Sequence, residues 1–201
     1  MEQSQEERRL LRRSCMENKS YIHTKVIVIT SFFAAITFLG IQSFRIPLPA
    51  AVGTPFVHFG HIFVVMGVLL QGGKRGAISG TIGLVVFDLL NGYLHAMPQV
   101  FVETIIKCLI VGKLFTIWKK KHTECQEYLG VVICSIIYGG MNIAIEFIMG
   151  VLQMMIVGSG FKAAVVASAT SIPATIINVV FLVVGIAALY KPVKKVYQRV
   201  K

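Results

Sequence analysis

Charge is scarce in this sequence. Only 14% of its 201 residues are Asp, Glu, Lys or Arg, and acids are scarcer still, nine against 20 basic residues, for a formal net charge of +11. Soluble domains draw on about 25% charged residues to cover their surface, so a water-solvated globular class is excluded. The four cysteines, Cys15, Cys108, Cys125 and Cys134, form no C-x-x-C pair and no ligand-like cluster with histidine. A disulfide framework or structural metal site therefore has no basis, and no cofactor is expected. The phosphate-loop pattern G-x-x-x-x-G-K-[ST] is also missing, since Gly112-Lys113 is followed by Leu114. Without that loop, H-E-x-x-H or G-x-S-x-G, the chain is expected neither to hydrolyse ATP nor to be an enzyme.

Apolar residues are what the sequence has in quantity, at 55% with a mean hydropathy of +0.74. Uncharged apolar runs recur along the chain, and about 20 such residues cross the hydrocarbon core as a helix. These runs predict helices over 26–44, 56–70, 77–90, 98–118, 129–157 and 163–190. The fold expected is all-α: an integral membrane bundle of six transmembrane helices over 25–190. A basic N-terminal segment precedes it over 1–24, and a basic tail follows over 191–201. Glutamates and arginines are mixed through the first segment, so it is not a signal-peptide core. The run Gln71-Gly72-Gly73-Lys74-Arg75-Gly76 reads as a tight turn between the second and third helices. Gly139-Gly140, Gly150 and Pro173 are places where the long later helices would kink or end.

Basic residues orient membrane helices because they are retained on the cytoplasmic side. With the N-terminus inside, all 20 Lys and Arg except Arg45, Lys162 and Lys107 fall at inner segments. That asymmetry predicts both termini cytoplasmic, in a multi-pass protein of the bacterial cell membrane. It also accounts for the positive charge through contact with anionic lipid, with no nucleic acid needed.

Ionisable groups inside a membrane helix cost several kcal/mol and mark sites or buried pairs. Asp88 lies three residues before Asn91. Gln99, Glu103 and Lys107 share one helical stripe, as do Asn142, Glu146 and Gln153, while Ser171 and Asn178 share a face of the sixth helix. At about 1.5 Å of rise per residue, four helices of alternating direction place these groups in the same outer half. Two outer loops face that layer, the proline-rich stretch 45–55 and the segment 91–98, whose Tyr93 and His95 are suited to cover a ring. Plainer roles stand beside these: Glu103 and Lys107 as an ion pair, Asp88 and Asn91 bracing a loop, and His58 and His61 hydrogen-bonded within the core. Ser31 with Ala35, and Thr30 with Ala34, are small pairs at four-residue spacing. They permit close helix approach, within this bundle or against another protein.

Six helices in about 200 residues, small residues on helix one, a proline-rich first outer loop and a polar outer pocket resemble the substrate-binding S components of bacterial energy-coupling factor (ECF) vitamin transporters. The stretches Pro49-Ala-Ala-Val-Gly-Thr-Pro-Phe-Val-His58, Gly76-Ala-Ile-Ser-Gly80 and Phe87-Asp-Leu-Leu-Asn-Gly-Tyr93 are most similar to a branch within the riboflavin group assigned to hydroxymethylpyrimidine or vitamin B6 compounds. The resemblance implies capture of a small vitamin or precursor outside, then uptake with a membrane T component and two cytoplasmic ATPases. It maps the family's small-residue contact for that partner onto Ser31 and Ala35. The expected ligand contacts are Glu103, Asn142, Glu146 and Asn178, with Asp88 and Asn91 nearby and Tyr93 and His95 as cover. Pantothenate or riboflavin as ligand, and an ion-coupled carrier using Asp88, Glu103 and Glu146 as a relay, are the alternatives.

Overall fold

The computed structural model describes residues 23–50 and 55–200. The basic segment expected over 1–24 lies outside the described residues up to position 22, as do Cys15, positions 51–54 of the first outer loop and Lys201. Backbone polar groups in hydrocarbon must find partners within their own segment, and the described chain is helical along nearly all its length. Helix α1 covers His23–Gln42. It is followed by α2 Gly60–Gln71, α3 Gly73–Leu90, α4 Met97–Lys121, α5 Glu124–Ile156, α6 Phe161–Ala169 and α7 Ile172–Val200. A two-residue antiparallel pair, β1 Ile46–Pro47 and β2 Phe56–Val57, closes the connection from α1 to α2.

Helix α2 is the centre, touching α3, α4, α5 and α7. Nine of its 12 residues are buried, because a helix that is apolar on every side is stable only when surrounded. Its end is abrupt. The chain passes into α3 through Gly72 alone, at φ +91°, a left-handed conformation open to glycine without strain. The six-residue turn expected over 71–76 is thus one residue long, and Lys74 and Arg75 belong to the first turn of α3. Such a tight reversal presses backbones together. A methyl group at Gly76 would lie 2.5 Å from the Val68 backbone, and one at Gly112 on α4 would lie 2.3 Å from Gly73 Cα.

Two other expectations are corrected. The helix expected over 56–70 begins only at Gly60, because Phe56 and Val57 are engaged in the strand pair. The helix expected over 163–190 is two, α6 and α7, separated at Thr170 and Ser171. Pro173 has no N–H to carry the hydrogen bonding of α6 onward, and it falls in the first turn of α7, where that N–H would lack a helical partner anyway. Beyond residue 190, α7 continues as helix through the basic stretch to Val200.

Outward-facing side chains match a lipid environment. Ile78, Ile82, Leu89, Phe101, Val102 and Ile106 on α3 and α4 are 45–54% exposed, an apolar belt that water would not tolerate. Among the described residues, α1, α5 and α7 are long and apolar enough to cross a membrane by length and composition. Helices α3 and α4, of 18 and 25 residues, rise about 27 and 37 Å, but they carry charges within them. The 12 residues of α2 rise only about 18 Å, well short of a hydrocarbon core of about 30 Å.

Glycine substitutions separate close packing from open surface. Gly112→Leu is expected to cost about 3 kcal/mol or more through overpacking against Gly73. Gly140, with nothing within 4 Å of an added methyl, should accept alanine with a gain of up to about 1 kcal/mol. Thermal denaturation of both variants in detergent measures the contrast; equal melting temperatures would contradict the packing described.

Candidate functional site

A cavity of about 280 Å³ opens at the end of the bundle that carries the strand pair and the α3–α4 loop. Every neighbouring helix contributes its end at this level. Asp88 comes from the last turns of α3, Gln99 and Glu103 from the first turns of α4, Glu146 and Gln153 from the last third of α5, and Ser171, Thr175 and Asn178 from the start of α7. His58 and His61 arrive from the entry to α2. This convergence follows from antiparallel neighbours, which bring C-terminal and N-terminal ends to one plane. The other end of the molecule is basic. There Glu127 of α5 is held by Lys194 at 2.5 Å, by Lys119 at 3.3 Å and by the Tyr190 hydroxyl at 2.5 Å.

The rim is aromatic. Tyr93 stacks on Phe87 with centroids 6.0 Å apart and ring planes 19° from parallel, and Phe56 packs on Phe87 at 5.6 Å. The Arg45 guanidinium lies 5.8 Å from the centroids of both Phe56 and Phe87, a cation–π placement, and donates to Asn91 Oδ1 at 3.1 Å. Asn91 in turn donates to Gln42 Oε1 at 3.0 Å and to the Phe87 carbonyl at 2.9 Å. Its polar capacity goes to tying α1 to the end of α3, and it is not among the residues lining the cavity. Tyr93 and His95 do line it, the first half-buried and the second exposed.

The floor is a chain of buried polar groups. Lys107, wholly buried, donates to Glu103 Oε1 at 3.1 Å and to Asn142 Oδ1 at 2.6 Å. The Asn142 amide donates to Glu146 Oε1 at 2.8 Å, and the Thr175 hydroxyl donates to Glu146 Oε2 at 2.5 Å. Both Glu146 oxygens are thus occupied, and Asn142 sits behind the lining rather than in it. Helix α5 carries no Lys or Arg of its own, and the cation for Asn142 comes from α4. Asn178 lines the cavity, yet both ends of its amide serve the loop. It donates to the Phe56 carbonyl at 3.0 Å and accepts the His58 N–H at 2.9 Å, extending the strand pair with a side chain.

His58 and His61 stand with ring centroids 4.9 Å apart, and His61 Nδ1 is 3.3 Å from the Tyr138 hydroxyl. No group of three His, Cys, Asp or Glu suited to hold a metal occurs among the described residues. Sequence reasoning missed Phe56 and Thr175 as lining residues. Thr175 was findable: it lies four residues after Ser171 and three before Asn178, on the face already marked. Ser31 and Ala35 are exposed and line a separate apolar groove of about 680 Å³ between α1 and α3.

Two comparisons bear on identity. A family model described as ECF-type riboflavin transporter, S component, matches residues 21–195. No curated protein matches the chain.

Removing one partner of a buried ion pair leaves the other charge uncompensated, at about 3–5 kcal/mol. Lys107→Met should therefore lower the melting temperature sharply, and adding Glu103→Gln should recover part of the loss. A double variant as unstable as the single one would show that the pair is not the source of the cost.

Proposed function

The chain belongs to the S-component family of ECF-type riboflavin transporters, and on that premise we propose that its cavity captures a single-ring vitamin or vitamin precursor, of hydroxymethylpyrimidine or pyridoxine/pyridoxamine type, for ATP-driven uptake. Members of this family are membrane-embedded substrate-binding subunits of transporters and not enzymes; they pair with a T component and ATPases. The observation that carries the ligand class is the cavity itself: about 280 Å³, rimmed by aromatic rings and walled by carboxylates and amides. Its volume falls at the lower limit of small-molecule sites, which run from about 300 Å³ upward. That suits one polar ring better than the three fused rings and sugar-alcohol chain of riboflavin. Pantothenate, an anion, is disfavoured by a lining that holds Asp88, Glu103 and Glu146 and neither Lys nor Arg.

In this reading Glu103, Asp88 and Glu146 face the ligand, while Tyr93 and His95 cover it. Asn142 and Asn178 act indirectly, by orienting Glu146 and by fastening the loop, and Asn91 holds the rim. The proposed topology is six membrane crossings over 25–190, counting α6 and α7 together as the sixth, with the basic end and both termini cytoplasmic. The concentration of Lys and Arg at the end opposite the cavity supports it. The apolar groove at Ser31 and Ala35 is the proposed contact for the T component, where small residues admit a close helix. An ion-coupled carrier is less well supported, because Glu146, one of the three acids of such a relay, has both oxygens held by protein partners.

Native mass spectrometry of the detergent-purified protein should reveal a co-purified ligand in the mass range of a single-ring vitamin. No such ligand, together with no calorimetric affinity for hydroxymethylpyrimidine or pyridoxine compounds, would overturn the substrate reading. Glu146→Ala is expected to weaken binding at least about tenfold with assembly intact, whereas Ser31→Leu should impair co-purification with the T component and leave ligand affinity unchanged.

A further inference from the structure

Two carboxylate oxygens at the cavity lack the partner that burial demands. Asp88 and Glu103 are each only 8% exposed, and among the described residues no hydrogen bond reaches Asp88 Oδ2 or Glu103 Oε2. Buried carboxylate oxygens are costly when unpaired, and ionised ones only accept hydrogen bonds. Glu146, the third acid of the lining, already has a donor on each oxygen. Among the described residues the unmet carboxylate demand of the lining therefore falls on the wall made by α3 and α4, where Lys107 is bonded to the other oxygen of Glu103. The lining also holds a donor. His58 Nδ1 accepts the Gly60 N–H at 3.2 Å, which leaves the proton of a neutral ring on Nε2.

We propose that the site selects a ring carrying an amino group or a protonated nitrogen, which donates to Asp88 Oδ2 and Glu103 Oε2, and that it rejects phosphorylated forms of the same ring. The proposal rests on the substrate-capture reading above and narrows its ligand class. An amine supplies two N–H donors from one atom, and positive charge on it offsets the excess of carboxylates over the single buried ammonium. A carbonyl substituent turns only lone pairs toward the same oxygens, and a hydroxyl has one proton to give where an amine has two or more. A phosphate ester brings up to two further negative charges to a lining with no Lys or Arg. Asp88 and Glu103 are then the specificity-determining residues, as distinct from Glu146, whose oxygens are held by Asn142 and Thr175.

Isothermal titration of the full-length protein in detergent tests this with matched probes: 4-amino-5-hydroxymethyl-2-methylpyrimidine, its 4-oxo counterpart, the phosphate ester of the amino compound, and the pair pyridoxamine and pyridoxine. The amino member of each pair should bind about 10- to 100-fold more tightly than its partner, and the phosphate ester should bind at least about 100-fold more weakly than the free amino alcohol. In Asp88→Asn the amino-over-oxo preference should fall about tenfold or more; this variant leaves the Glu103–Lys107 pair in place, so it serves if Glu103→Gln does not fold. Equal affinity for amino and oxo probes, or retention of the phosphate ester, overturns the selectivity while leaving vitamin capture standing. Failure of every probe to bind removes the capture reading and this inference together.

Discussion

A positive charge that cannot reach water governs the interior of this bundle. Lys107 is completely buried on α4, and an ammonium in that position persists only if acceptors are brought to it. Glu103 one turn earlier supplies one, and Asn142 on α5 supplies the other. That second bond fixes the Asn142 amide, so its nitrogen is turned toward Glu146, which in turn receives Thr175 of α7. One cation thereby sets the relative placement of three helices that apolar packing alone would let rotate. The side chains at the cavity floor are pre-oriented for the same reason.

Much of this was legible from the chain alone. Apolar runs located the helical segments, since length and hydropathy are local properties. The i, i+4 stripes of Glu103 with Lys107 and of Asn142 with Glu146 were visible because helical periodicity is local too. The partner choice was not. Whether Glu103 turns to Lys107 or to a ligand, and whether Asn142 meets a cation from another helix, depends on distances between segments that sequence spacing does not encode. Asn178 shows the limit most clearly. Its face on the helix was readable, yet its occupation comes from Phe56 and His58, more than a hundred positions away.

Turn chemistry was the other weak point. Gly72 and Pro173 were both recognised as interruptions, but not how sharply each acts. One glycine at positive φ suffices to reverse the chain, and one proline divides the final span into α6 and α7. Family membership, carried by a match over residues 21–195, adds what no local pattern contains: that the molecule is the binding subunit of a transporter and works beside other proteins.

The brevity of α2 has a consequence for how such a bundle makes room for a guest. Its neighbours α3, α4, α5 and α7 are 18 to 33 residues long, whereas α2 has 12, beginning only at Gly60 and leaving the chain before it to the strand pair and His58. The cavity opens at that level, with His58 and His61 from the entry to α2 in its lining. Room inside the bundle is left by stopping the innermost helix early rather than by prying the outer ones apart, so the outward faces of α3 and α4 stay apolar beside a polar interior.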